Sequence, residues 1–410
     1  MAASTVGTRE AAACDSTMAD RAVRRAARIA AIDVVRGAVM VLMAIDHVRV
    51  YSGLPAGGRT AGIFFTRWIT HFCAPAFVFL AGTSAFLYGR KLGVGRHDPT
   101  QVRALARYLV TRGLFLVLLE LSVIRLAWTF NIDYASFLLA GVIWMLGWCM
   151  VLLAGLVWLP TWAIASFGLV VVFFQNPLRP LLDLLPGSLD WIGAFLYRGG
   201  QVELGQRGPT IVVLYVLVPW IGVMAAGYAF GAIAIREAAE RRRLCLRIGA
   251  SMTALFLLVG GLVVFLSPAS EEAPPALFRL LNQQKYPASQ LFLLMTLGPT
   301  IALLPLAERA RGRIADVLAT FGRVPLFYYL LHIPLIHLAA LVVSYVREGR
   351  VNPWLFDNHP LPSSPSPEGY VWGLPLLYFV FAIVVSLLYV ACRWFANVKA
   401  TRTDRWLRYV

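Results

Sequence analysis

Ten times along the chain an apolar run approaches the length of about 20 residues that a helix needs to cross a bilayer. The runs fall at about 30 to 51, 63 to 88, 107 to 130, 136 to 158, 161 to 176, 209 to 235, 247 to 267, 289 to 307, 323 to 346 and 370 to 393. In hydrocarbon every backbone polar group must be paired inside its own segment, so such runs are predicted to be helical. The expected fold class is therefore all-α: a polytopic transmembrane helix bundle of about ten helices. With 59% hydrophobic and 14% charged residues, the chain of 410 residues carries more apolar surface than a soluble domain can hide.

A formal net charge of +16 would suit nucleic acid if it lay on one soluble face. Instead the cations cluster between apolar runs, as cytoplasmic loops do. Arg21, Arg24, Arg25 and Arg28 precede the first run; Arg90, Lys91, Arg96 and Arg103 join the second to the third; Arg236, Arg241, Arg242, Arg243 and Arg247 join the sixth to the seventh. Arg309, Arg311 and Arg313 follow the eighth, and Arg393, Lys399, Arg402, Arg405 and Arg408 follow the tenth. All fall on one side if both termini are cytoplasmic, whereas dropping one helix would put basic loops on both faces. The Pro- and Gly-rich segments around 176 to 208, 268 to 288 and 347 to 369 are then external. The basic charge is accounted for by topology and anionic lipid contact.

Three regions are expected: a disordered cytoplasmic tail over 1–27 without the apolar core of a signal peptide, a membrane-embedded domain over 28–395, and a basic cytoplasmic tail over 396–410. Five scattered cysteines without CxxC spacing predict free thiols and no metal site.

Polar groups inside the apolar runs carry the chemistry, because each costs about 2.5 to 3.5 kcal/mol against lipid and must face the bundle interior. The first run reads RGAVMVLMAIDHVR over 36–49. Eleven residues separate Arg36 from His47. At about 100° and 1.5 Å per residue they share one face roughly 16 Å apart. Asp33 lies one turn before Arg36, and Asp46 and Arg49 are spaced to pair with each other, leaving His47 available. The second run places Arg67 and His71 on one face by i to i+4 spacing. The third adds Glu120 and Arg125, spaced so as to read equally as a structural ion pair or a functional one, and the ninth adds Tyr328, Tyr329, His332 and His337. Together these line one predicted internal cavity. His337 reads as structural, His97 and His359 as incidental loop residues.

The pattern of Arg28, Asp33, Arg36 and Gly37, the His eleven residues on, and the segments FFTRWITHFCAPAFVFLAGTS (64–84), RGLFLVLLELSVIRLAWTF (112–130), KYPASQLFLLMTLGP (285–299) and GRVPLFYYLLHIPLIH (322–337) together resemble bacterial members of the heparan-alpha-glucosaminide N-acetyltransferase catalytic-domain family. The resemblance runs over nearly all of 28 to 394. It implies an acyltransferase-like domain that takes an acetyl group from cytoplasmic acetyl-CoA, the donor substrate, to a sugar amine or hydroxyl on the far side of the membrane, in the bacterial inner membrane. The lysosomal enzymes carry an essential His in the loop between their first two helices. Here that position falls near Ala61, and His71 stands where those enzymes have an Asp; His47 matches the His of the wider superfamily of sugar-modifying acyltransferases.

On this reading His47 is the expected base, with His71 as the second candidate or as the group that positions the acceptor, and Asp46 completes the expected catalytic set. Arg36, Asp33 and Arg28 are expected at the donor, and Arg67, Glu120, Arg125, Tyr328, Tyr329 and His332 in the cavity wall. Expected partners are acyl-CoA, a sugar-type acceptor and membrane lipid, with no nucleic acid; a homodimer is compatible with it. A proton-coupled transporter or flippase also needs His, Asp and Arg inside the bilayer and is the alternative. A non-catalytic scaffold of an envelope-polymer machine is a third reading.

Overall fold

The computed structural model describes residues 30–57, 60–94, 98–182, 184, 186–205, 208–267, 273–402 and 404–408. The 1–27 tail, Arg28 and His97 lie outside them. A helix occupies each of the ten apolar stretches. In chain order the helices are α1 (30–51), α2 (Ala61–Trp68), α3 (Cys73–Leu92), α4 (Pro99–Leu119), α5 (Arg125–Thr129), α6 (Val142–Leu156), α7 (Thr161–Leu182) and α8 (Asp190–Gly193). They continue as α9 (Val218–Ala234), α10 (Ala238–Leu266), α11 (Ala276–Leu281), α12 (Gln290–Ala307), α13 (Arg313–Arg323), α14 (Pro325–Glu348) and α15 (Leu374–Thr401). Among the described residues, five helical segments are long and apolar enough to cross a membrane: Ala61–Leu92, Ala238–Leu266, Gln290–Ala307, Pro325–Glu348 and Leu374–Thr401. The chain is a multi-pass membrane protein.

The all-α expectation needs one correction. The runs at 136–158 and 209–235 both open with strands, β1 (Leu138–Ala140) and, after β2 (Gly200–Glu203), β3 (Thr210–Val213). The sheet order is β1-β3-β2, with Leu138 parallel to Ile211 and Gly200 antiparallel to Val213. Thr210, Ile211, Val212 and Val213 form a β-branched run that favours a pleated surface. Hydropathy merges such an apolar strand with the helix after it.

Lipid tails are as apolar as leucine, so helices in a bilayer associate through close backbone approach at small residues. Glycines stand at the crossings here. A Cβ on Gly82 of α3 would lie 2.1 Å from the Met224 carbonyl oxygen of α9, and one on Gly113 of α4 would lie 2.5 Å from that of Gly147 on α6. Toward the residue-30 end of α1, Gly37 of α1 and Gly322 of α13 fit against each other's helices, a Cβ on either coming within 1.9 Å of a carbonyl oxygen. Helix α1 is the axis of the bundle: Ala44, Val48 and Tyr51 are fully buried. Neighbours hold it along its length through Cys73 Sγ to the Val39 carbonyl (3.1 Å), Tyr328 Oη to the Met40 carbonyl (3.0 Å) and Tyr370 Oη to the Tyr51 carbonyl (2.8 Å).

Candidate functional site

Three cavities lie in series, two along α1 and the third beyond its C-terminal end. The first, about 330 Å³, lies toward the residue-30 end of α1 and is lined by Arg36, Arg112, Arg323 and Lys399, cations carried by four different helices, over an apolar floor that includes Met43, Phe77 and Val142. Arg36 is fixed there by Ser84 Oγ (2.8 Å), the Gly322 carbonyl (3.2 Å) and the Asp33 carboxylate (3.4 Å). Asp33 thus orients Arg36 rather than facing the cavity.

The second cavity, about 180 Å³, is lined by Asp46, His47, Arg49, Arg67, Glu120, Trp128, Lys285, Tyr286 and Tyr329, with Leu139 and Leu214 from the sheet region closing one side. Met43, Phe77, Val142 and Tyr329 line both cavities and form the wall between them. His47 Nδ1 meets His332 Nε2 at 2.7 Å, and Trp128 packs edge-on to the His47 ring at 4.8 Å. Asp46 pairs with Arg49 Nε at 3.0 Å, as their spacing predicts, and Arg49 also donates to the Leu54 carbonyl at 2.9 Å. Asp46 is therefore engaged away from the imidazole. Lys285, in the connection before α12, reaches in over the Tyr286 ring at 5.1 Å. Burial opposes its charge, yet Tyr286 and the Asp46 carboxylate hold its ammonium above the ordinary lysine range.

The third cavity, about 470 Å³, lies at the opposite end and is lined by Phe64, Arg67, Trp68, His71, Phe278, Arg279 and Asn282. Ala56 and Arg67 are shared with the second cavity. His71 lies here and not beside His47. A 3-10 turn over Ile69–Phe72 interrupts the second run between α2 and α3, and His71 Nδ1 bonds the carbonyls of Arg67 (3.1 Å) and Trp68 (3.0 Å).

Several expected wall residues do other work. Glu120 and Arg125 do not pair. Glu120 Oε2 accepts the Ile143 N–H at 3.0 Å, putting a carboxyl group at the N-terminus of α6, where the first backbone N–H groups have no partner within the helix. A π-helical turn over Glu120–Ile124 aims it into the second cavity. Arg125 lines none of the three cavities; it is fully buried and donates to the carbonyls of Asn131, Asp133 and Phe137, gathering the loop after α5. The buried guanidinium needs acceptors, and the nearby chain reversal supplies carbonyls. Tyr328 ties α14 to α1 instead of facing a cavity, and His332 stands behind His47. His337 is structural, stacked on Phe130 (4.0 Å) and Tyr51 (4.6 Å). His359 is not a free loop residue: it is fully buried, bonds the Trp354 carbonyl at 3.0 Å and packs on Tyr51.

Sequence reasoning missed Ser84, Arg112, Arg323, Lys399, Lys285 and Tyr286. The four cations among them that lie near span ends read equally as loop or interfacial charges. Only the fold turns three of them toward Arg36 and the fourth, Lys285, toward His47.

The fold and these chambers define a multi-pass membrane protein with a polar reaction-sized interior in series with a basic one. The family model described as heparan-alpha-glucosaminide N-acetyltransferase, catalytic, matches residues 28–271, and the chain belongs to that family. Family membership points to membrane acetyltransferase activity. The matched segment stops short of residue 394, leaving Lys285, Tyr329 and His332 beyond it. No curated protein matches the chain.

Proposed function

We propose that this protein is an integral membrane acyltransferase of the bacterial inner membrane. It moves a short acyl group, acetyl in the simplest case, from cytoplasmic acyl-CoA to an amine or hydroxyl of a sugar-type acceptor on the outer side. On this reading about ten helices span the bilayer with both termini cytoplasmic, so the first cavity opens inward and the third outward. The observation that carries the proposal is the order of the cavities: a four-cation chamber, a wall of Met43, Phe77, Val142 and Tyr329, and then His47.

Arg36, Arg112, Arg323 and Lys399 suit the phosphates of a nucleotide donor, with Asp33 setting the Arg36 fork. Arg36 and His47, eleven residues apart on α1, are separated by roughly 16 Å at about 1.5 Å per residue, a distance an extended pantetheine arm covers. The thioester then rests at the wall beside His47. An acceptor entering past Arg67 and His71 attacks the carbonyl carbon, and His47 takes the proton of its O–H or N–H. Negative charge develops on the thioester oxygen in a chamber where Lys285 supplies positive charge. As the C–S bond breaks, the proton passes from His47 to the departing thiolate. A transporter would also use polar chambers in series, but it needs a path for the whole solute. The wall at Met43 and Phe77 suits passage of one slender arm.

Sealed inside-out vesicles test the proposal. Radiolabel supplied as acetyl-CoA on the cytoplasmic face is expected on a glycan acceptor enclosed within. Accumulation of unmodified solute with no label transferred would instead identify a carrier. The wall makes a second prediction. Phe77→Ala removes a bulky aromatic side chain from the wall at the acyl position, so turnover with butyryl-CoA is expected to rise about tenfold relative to acetyl-CoA, the scale of discrimination by a few methylenes. An unchanged chain-length profile would place the acyl group elsewhere.

A further inference from the structure

We infer that His332 is a positioning residue for the transfer: it fixes the tautomer of His47 so that the lone pair of Nε2 faces the reaction chamber. The inference rests on the acyltransferase reading for its kinetic part and on geometry alone for its tautomer part.

His332 Nδ1 lies 2.7 Å from the Tyr329 carbonyl oxygen and 3.2 Å from that of Tyr328. Carbonyl oxygens only accept, so Nδ1 carries the proton, and the Nε2 of a neutral His332 is an acceptor. That Nε2 meets His47 Nδ1 at 2.7 Å, so the proton between them belongs to His47 Nδ1. A neutral His47 then has its lone pair on Nε2, the nitrogen left to the cavity. The ring centroids are 4.8 Å apart and the planes 26° apart. That separation is close to the N to N distance plus the two ring radii, so the contact is an in-plane hydrogen bond and not a face-to-face stack.

The helix itself supplies both acceptors: the carbonyls that His332 Nδ1 meets belong to Tyr329 and Tyr328, three and four residues earlier in α14. His332 itself is fully buried, and among the described residues no carboxylate bonds its ring. An enzyme that orients its base with a carboxylate surrounds the resulting imidazolium with negative charge; here a neutral imidazole and two carbonyl dipoles do that work. When His47 Nε2 takes the acceptor's proton, the Nδ1 proton can pass to His332 Nε2. The cation then sits on His332, both of its N–H groups donated, and returns by the same route when the thiolate leaves. The proton count balances without a further group.

Two variants and one spectrum test this. His332→Gln keeps an acceptor oxygen near the position of Nε2, whereas His332→Met removes it at similar size. Turnover is expected to fall about a hundredfold or more in His332→Met, the scale of a lost general base, with acceptor KM and thermal stability little changed. His332→Gln is expected to recover at least tenfold of that loss. Nitrogen-15 imidazole spectra of the detergent-solubilised wild-type protein, assigned by loss of the signal in His47→Ala, are expected to show His47 protonated at Nδ1 and bare at Nε2. A His47 protonated at Nε2, or equal losses in both folded variants, overturns the inference. If the spectrum is as expected but the wild-type protein transfers no acetyl group to any acceptor, the fault lies in the acyltransferase reading and not in the tautomer.

Discussion

Replacing His47 by alanine is expected to lower acetyl transfer by about a hundred- to ten-thousandfold, the range over which a positioned base contributes to proton transfer, while the bundle stays folded. The ring is half-buried at a chamber wall, so its loss enlarges an existing cavity and leaves the packed backbone crossings untouched. His332 Nε2 loses its donor, a vacancy worth about 1 to 3 kcal/mol if left dry, but one that water from the adjoining chamber can fill. The effect should therefore fall on kcat, with donor KM nearly constant because the four cations remain. His47→Gln, which can donate and accept but cannot carry a proton at neutral pH, should be as inactive as alanine. His71→Ala is expected to act differently, raising acceptor KM more than it lowers kcat, since His71 lines the third chamber and shares no wall with the donor cavity. Steady-state kinetics on purified protein in nanodiscs, with melting curves for each variant, make the comparison. Full turnover in a folded His47→Ala protein removes this residue from the chemistry.

Most of the helical framework was legible because one property, apolar length, dictates it. Each of the ten runs holds a helix, the backbone form that pairs its polar groups within one segment. The failures come where two rules overlap. At 136–158 and 209–235 the apolar signal spans a strand and a helix together, and hydropathy has no term for the change of period. The polar line on α1 could be read because helical geometry fixes the phase between Arg36 and His47 within one element. Contacts between elements could not: Glu120 bonds the start of α6 rather than Arg125, which is five residues away in its own sequence neighbourhood. Likewise the meeting of His47 with His332 joins residues 285 positions apart, and no spacing rule reaches so far. The site is thus half local and half topological, and the topological half is what turns a set of intramembrane charges into an ordered series of chambers.

That dependence on topology can be tested far from any reacting atom. Gly322→Ala is expected to lower turnover by about a hundredfold although residue 322 lines none of the chambers. A Cβ there would lie 1.9 Å from the Asp33 carbonyl oxygen, 2.6 Å from its carbon and 2.7 Å from its Cα, all backbone atoms of α1 that no rotamer change can clear. Helix α1 must retreat by roughly 1 Å or more, and displacements of about that size can cost about a hundredfold in rate. The retreat breaks the Arg36 bond to the Gly322 carbonyl and draws His47 away from His332, because α14 begins at Pro325, immediately beyond the crossing. Donor KM and kcat should both suffer, unlike the kcat-only loss at His47. Overpacking of this kind also destabilises by about 1 to 3 kcal/mol, visible as a lower melting temperature. Gly261→Ala is the control: its Cβ would meet nothing within 4 Å, and replacing a mid-helix glycine of α10 by alanine should stabilise by roughly 0.5 to 1 kcal/mol with kinetics unchanged. Wild-type turnover and melting in Gly322→Ala would mean that α1 and α13 do not cross this closely. The registration of donor chamber to imidazole would then have to be held by some other contact.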